Sequence, residues 1–231
     1  LIEEGLVAPG QVVLGTDSHA TSYGAVGAFG VGIGSGDMAL ALASGRTWFK
    51  VPETLRVRAS GRFRPGVGPK DLSLYLCGQL GIDGATYQTV EFHGLDWLTL
   101  DGRETLCGMS TELGAKAGIF APTGAVAERF AAPDWLRVQE GACYARTIDV
   151  DLAALPPLVA VPPEVDHVTP ARELSGIKVD LVFIGTCTNG RLEDLRAAAE
   201  ILGGKHIAPG VRLLVIPASA RILRDAVADG T

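Results

Sequence analysis

Apolar and polar positions along the chain switch between a period near two and a period near 3.6, and the switches outline an α/β protein. A short apolar run over 12–14 reads as a strand. Met38, Leu42 and Gly45 share one face of a helix expected over 37–48 and stopped by Pro52. Leu55, Val57 and Ala59 alternate with polar residues as in a strand, and Pro69 and Lys70 open a helix with Leu72, Leu76 and Leu80 along one side. An extended segment follows around 89–92, then a helix expected over 104–118. A third helix starts behind Pro122 and Thr123, with Thr123 as its N-cap. The proline-rich stretch from Leu155 to Pro163 allows an extended connection and no helix. Beyond Val168 the pattern is regular: strand 179–184, helix 191–202, strand 211–216 and helix 219–229. Leu192, Leu195, Ala199 and Leu202 fall on one helical face, and Ser219 caps the last helix. A βαβα unit of this kind implies parallel strands joined by a right-handed crossover.

This punctuation separates three stretches: 1–52 as the end of a first α/β domain, 53–165 as a second, and 166–231 as the start of a third. No solenoid repeat or low-complexity tract interrupts them. A chain of 231 residues buries roughly 70% of its unfolded surface, enough for a substantial core. The 30 glycines and only 6% aromatic residues fit helices lying close on sheets. A formal charge of −6 without a lysine or arginine run argues against nucleic-acid binding and against an anionic membrane surface. No stretch of 18 apolar residues exists, and the first ten residues lack a signal-peptide pattern, so a cytoplasmic protein is expected. Cys77, Cys107, Cys143 and Cys187 lie far apart with no C-x-x-C spacing, which suggests neither a disulfide framework nor a self-contained zinc site. The first three are assigned to packing.

Two segments carry candidate chemistry. The hexapeptide Gly185–Gly190, GTCTNG, puts Cys187 at a turn between an apolar strand and an amphipathic helix. Backbone N–H groups at a helix start favour a thiolate, which makes Cys187 a candidate nucleophile or metal ligand; a small buried residue closing a tight turn is the other reading. Upstream, Asp17, Ser18 and His19 stand at the carboxyl edge of the first strand, where open α/β sheets usually put ligands. Glycines follow at 24, 27, 30, 32, 34 and 36. Their chain-entropy cost implies close backbone approach, either to a ligand or to a neighbouring element. No window satisfies G-x-G-x-x-G and no P-loop lysine follows, so dinucleotide and Walker sites have little support.

The segments VAPGQVVLGTDSH, GAFGVGIGSGDMALALASGRTWFKVPE, KDLSLYLCGQLGIDGATYQTVEF and DLVFIGTCTNGRLEDLRAAAEIL together resemble the aconitase family. The resemblance is to its large-subunit branch of 3-isopropylmalate dehydratases and homoaconitases, and it runs along essentially the whole chain. It implies three-layer α/β/α aconitase-type iron-sulfur domains with mixed and parallel sheets. It also implies a hydro-lyase that moves water between neighbouring carbons of a small hydroxy-carboxylic acid. Hydroxide leaves poorly, so such a site needs a Lewis acid and a proton donor. In the family a [4Fe-4S] cluster on three cysteines supplies the Lewis acid, and Cys187 matches the first of them. His19 matches a family active-site histidine and Glu91 the glutamate that partners it, so His19 and Glu91 are expected to be hydrogen-bonded. Asp17 matches a family aspartate whose usual histidine partner lies upstream of this chain; here it is either unpaired or holds the turn through backbone N–H groups. Ser18 is expected to contact substrate carboxylate or the loop. Asn189 matches a residue beside the cluster but equally fits a helix N-cap. Arg191 fits either a substrate carboxylate or a solvent-facing first turn. His93, His167 and His206 match no catalytic position and are expected to be structural or surface residues.

The family's C-x-x-C pair, its arginine-rich loop and an upstream acid–histidine pair are not in this sequence, so the chain is expected to be a fragment, inactive alone and without a bound cluster. The catalytic base, a serine on a swivelling domain, belongs in this branch to a small-subunit partner. Leucine biosynthesis (3-isopropylmalate) and lysine biosynthesis through aminoadipate (homocitrate and homoisocitrate) both remain open. A cluster-free RNA-binding regulator is the rival of another class, disfavoured by the acidic pI near 5.2.

Overall fold

The protein is described by a computed structural model covering residues 1–231, the side chain of Ala125 apart. Its residues gather into two compact units, Leu1–Glu173 and Leu174–Thr231. The first unit therefore contains both the glycine-rich segment and the stretch that follows it.

The sheet of the first unit is built from β3 (Thr54–Ser60), β4 (Thr89–His93), β5 (Ala117–Phe120) and β6 (Arg146–Asp151), all parallel, in the order β5-β4-β3-β6. Strand alternation sends Leu55, Val57, Val90, Phe92 and Phe120 to one face, where they are buried with Leu72 and Leu76 of α2 (Pro69–Leu80) and Leu106 of α3 (Leu100–Gly108). Phe92 and Phe120 stack with ring centroids 5.1 Å apart. Each leucine removed fully from water in this layer is worth about 1.5–3 kcal/mol of hydrophobic stabilisation. The opposite face is polar. Register sets Arg56 beside Glu91 and Thr147, and Arg58 beside His93 and Asp149. Arg58 Nε donates to Asp149 at 2.5 Å, which holds that carboxyl below its ordinary pKa.

Ahead of this sheet, β1 (Val12–Gly15) pairs in parallel with β2 (Phe29–Gly32), and a 3₁₀ stretch, Ser18–Val26, connects them. That stretch packs against α3 and β5. An ideal Cβ on Gly24 would stand 1.7 Å from the Gly118 carbonyl oxygen, and one on Gly30 would stand 2.2 Å from the Ala20 carbonyl oxygen. The glycine tract thus serves contact between neighbouring elements. α1 (Ser35–Ser44) ends at Gly45 in the left-handed region, earlier than the expected stop at Pro52, and none of its side chains is buried.

The helix expected over 104–118 is three elements. α3 gives way at Gly108 to a 3₁₀ turn over Met109–Leu113, Gly114 adopts a φ of 72° that ends it, and β5 begins at Ala117. Ser110 Oγ donates to the Leu106 carbonyl and Gly118 lies against Cys107, so the chain reverses tightly there. Thr123 occupies the N-cap position of α4 (Gly124–Arg129), but its hydroxyl donates to Asp96 at 2.7 Å instead of capping the helix. Buried Arg103 ties the same region together, donating to the carbonyls of Asp96 at 2.7 Å and Leu98 at 3.3 Å. β7 (Leu158–Ala160) and β8 (Val168–Pro170) form a short antiparallel pair.

In the second unit β9 (Leu181–Gly185) pairs in parallel with β10 (Arg212–Ile216), and α5 (Leu192–Leu202) and α6 (Ala220–Asp229) follow the two strands in turn. Ser219 Oγ accepts the Ile222 N–H at 3.1 Å, the expected cap. Leu195, Ile222 and Ala226 form the small core. Among the described residues no helix is long and apolar enough to cross a membrane.

If the glycines serve packing, Gly24→Ala should cost about 3 kcal/mol or more through the clash with the Gly118 carbonyl. Gly36→Ala, whose Cβ would meet nothing within 4 Å, should be neutral or stabilise α1 by about 0.5–1 kcal/mol. Chemical denaturation of the two variants checks both.

Candidate active site

The Asp17-Ser18-His19 turn is ordered by its own acid. Asp17 caps the 3₁₀ stretch by accepting the His19 N–H at 2.7 Å, and the same oxygen lies 3.6 Å from His19 Nδ1. On the other side His19 Nε2 lies 3.4 Å from Glu112 of the turn after α3. The imidazole is mostly covered, with its side chain 21% exposed, so carboxylates face both ring nitrogens and fix the ring plane. Ser18 is exposed beside it. Lys116 Nζ donates to the Gly32 carbonyl at 3.3 Å, fastening β2 to the start of β5.

Glu91 does not partner His19 as expected. On β4 the residues i and i+2 share a face, so its neighbour is His93, whose Nε2 lies 2.8 Å from Glu91 Oε1. Tyr144 donates its hydroxyl to the same oxygen at 3.3 Å. Glu112, His93 and Tyr144 were not singled out as functional residues by sequence pattern. For His93 the signal was present, since alternation along VEFH places it beside Glu91. Glu112 and Tyr144 are far from their partners in sequence and only the fold brings them in. His167 and His206 are exposed, as expected of surface residues.

In the second unit, GTCTNG forms the turn between β9 and α5. A Cβ on Gly185 would meet the Ile216 carbonyl oxygen at 2.0 Å, so the turn requires glycine there. Cys187 is exposed, which removes the reading of a small buried residue. The helix is capped from inside: Asp194 Oδ2 accepts the N–H groups of Gly190 and Arg191, both at 2.9 Å. Arg191 occupies the N-cap position, and Asn189 instead donates its side-chain amide to the Asp194 carboxylate at 3.3 Å. Arg191 reaches back to the Cys187 carbonyl at 3.3 Å.

The family profile described as Aconitase family (aconitate hydratase) matches residues 1–175 and 163–231. The chain belongs to the aconitase family. Among aconitase relatives, it is 54% identical over its full 231 residues to the 3-isopropylmalate dehydratase large subunit of Herpetosiphon aurantiacus, covering 55% of that protein. It is also 54% identical over 234 residues to the homoaconitase large subunit of Thermus thermophilus, covering 56% of it. The chain thus spans about half the length of the curated relatives it matches. Among solved structures, aconitase X of Thermococcus kodakaraensis in its holo-form aligns with 97% of this chain and 54% of its own, at a TM-score of 0.61 and 17% identity, which shows a shared fold.

The thiols of this aconitase-family chain differ sharply. Cys77 and Cys107 are buried, and burial pushes Cys77 up to about 12 and Cys107 well above its ordinary value. Cys143, expected to pack, is exposed, because it lies on the irregular segment before β6. Among the described residues no three histidine, cysteine or acidic side chains are grouped to hold a metal ion. Native thiol titration should therefore find the two exposed thiols reactive and the two buried ones silent until denaturant is added. Stability should also fall as pH rises from about 9 towards 12. There the unfolded Cys77 thiol loses its proton while the folded one keeps it, so the native state binds more protons and alkali favours unfolding. Urea midpoints measured across that range check the slope.

Proposed function

We propose that this chain is a portion of the large catalytic subunit of an iron-sulfur hydro-lyase of the 3-isopropylmalate dehydratase type. Such an enzyme interconverts 2- and 3-isopropylmalate by dehydration and rehydration in leucine biosynthesis. The observation that carries the reading is the 54% identity to a relative of that name along the whole chain, with both GTDSH and GTCTNG inside the matched region. A homoaconitase large subunit, acting on homocitrate and homoisocitrate, is the second reading, since a relative of that name is equally 54% identical.

In this proposal His19 handles the proton at the departing hydroxyl, with Asp17 and Glu112 setting its ring orientation. Glu91 is a second proton-handling group, and Ser18 and Asn189 contact substrate. Cys187, an exposed thiol on a glycine-closed turn, fits one ligand position of a [4Fe-4S] cluster. Of the other cysteines, Cys77 and Cys107 are buried with their pKa values raised by burial and Cys143 is exposed in the first unit, so none shares the second unit with Cys187. The remaining ligands, the catalytic serine and its swivelling domain would come from the rest of the large subunit and from a small-subunit partner. The acidic composition supports neither a nucleic-acid nor an anionic-membrane partner, and the proposed setting is cytoplasmic.

Two experiments test this. Anaerobic incubation of the 231-residue chain with iron and sulfide, followed by desalting, should leave a colourless protein with no stoichiometric iron. A chimera in which this chain replaces the matching half of the Herpetosiphon large subunit, co-expressed with its small subunit, should turn over 3-isopropylmalate. Turnover of homoisocitrate alone would select the second reading, and a folded, cluster-loaded chimera inactive on both would sink the proposal.

A further inference from the structure

One short segment, from the end of α3 to the start of β5, grips the glycine-rich hairpin at three points. The Gly108 carbonyl accepts the Thr21 hydroxyl at 3.1 Å, Glu112 stands 3.4 Å from His19 Nε2, and Lys116 Nζ donates to the Gly32 carbonyl at 3.3 Å. The last of these bears on the Asp17-Ser18-His19 turn through the backbone. Gly32 ends β2 in register with Gly15, and an ideal Cβ on it would stand 3.2 Å from the Asp17 carbonyl oxygen and 3.4 Å from Ser18 Cα. Whatever fixes Gly32 therefore fixes the backbone from which His19 projects.

The lysine is itself held at both ends. Its backbone N–H donates to the Gln88 carbonyl at 2.8 Å, and its ammonium lies between two rings, 5.5 Å from the Phe49 centroid and 5.6 Å from that of Tyr87. Phe49 meets Phe29 of β2 edge to face at 6.3 Å. Tyr87 has a φ of 56°, in the left-handed region that a bulky residue rarely adopts, and donates its N–H to the Gly114 carbonyl at 3.1 Å. A lysine on a free four-carbon stem is a mobile, hydrated point charge, and this one has been given a seat.

We infer that Lys116 is a positioning residue for His19: by holding Gly32 it keeps the Asp17-Ser18-His19 turn at the distance where Glu112 meets the imidazole. The inference rests on reading His19 as the group that handles the proton at the departing hydroxyl. Glu112 and Lys116 are four residues apart on either side of Gly114, so one tight turn sets both the partner of the imidazole and the height of the loop that carries it. Displacing a proton-handling group by an ångström or less slows the reaction without weakening substrate binding to match.

Nuclear magnetic resonance on the 231-residue chain, with labelled lysine, glycine, histidine and glutamate, tests the contact. In the wild type the Lys116 ammonium should resonate upfield of the other lysines, under the two rings, and couple across its hydrogen bond to the Gly32 carbonyl carbon. Lys116→Met, which keeps the stem but removes donor and charge, should shift the His19 ring and Glu112 carboxyl signals. Lys116→Arg, which keeps both, should return them towards the wild type. A lysine that only stabilised the fold would lower Tm and leave the His19 signals of the folded variant in place. In the Herpetosiphon chimera, Lys116→Met should lower kcat on 3-isopropylmalate about tenfold with KM changed less than about twofold, and Lys116→Arg should restore most of the loss. An ammonium without the upfield shift and coupling overturns the inference, as do His19 signals indifferent to Lys116→Met or an undiminished kcat in an active chimera. If Lys116→Met does not fold, the wild-type coupling and the Lys116→Arg spectra decide. A chimera inactive on both substrates, with the ammonium and His19 signals as expected, would end the functional reading and leave this one standing.

Discussion

The contact on which the first unit depends is backbone against backbone, where Gly24 of the 3₁₀ stretch lies on Gly118 of β5. No side chain could be inserted there without separating the two elements. The approach seats the Asp17-Ser18-His19 turn over the end of α3, and this is why Glu112, on the turn that follows α3, meets His19. Thr21 reinforces it by donating to the Gly108 carbonyl at 3.1 Å. At Gly24 and Gly30 a glycine tract that looks like a ligand cradle serves close packing, and the candidate site residues lie at its amino end.

The second organising constraint is the pleat of the parallel sheet. One face is an apolar layer under α2 and α3, and the other presents paired charges in register across three strands. Most parallel sheets have both faces covered by helices and read as continuous apolar runs. Here alternation survives, and the polar face supplies Glu91, His93 and their neighbours. A strand that must bury Val90 and Phe92 has no choice about where it sends Glu91.

In the second unit the GTCTNG turn is built by local hydrogen bonding. Asp194 takes two backbone N–H groups of the turn from the helix it opens, and Cys187 is exposed on that turn.

Much was legible in the chain. Residues whose partners lie within a few positions announced themselves: the Pro69 start of α2, the Ser219 cap, the βαβα alternation of the second unit and the Asp17 turn all follow from local rules of torsion, capping and periodicity. Motif density was enough to identify the family. Where the sequence misled, a distant group had outcompeted the local one. Thr123 bonds to Asp96 rather than capping its helix, and the apolar stretch up to Gly118 becomes a strand because it pairs with β4. Glu91 finds His93 and Tyr144 instead of His19. Composition and short-range pattern thus determined most of the elements and which residues are candidates for chemistry. Only the tertiary structure decided which of those residues meet, because hydrogen-bond partners are chosen by distances of a few ångströms that spacing along a chain does not encode.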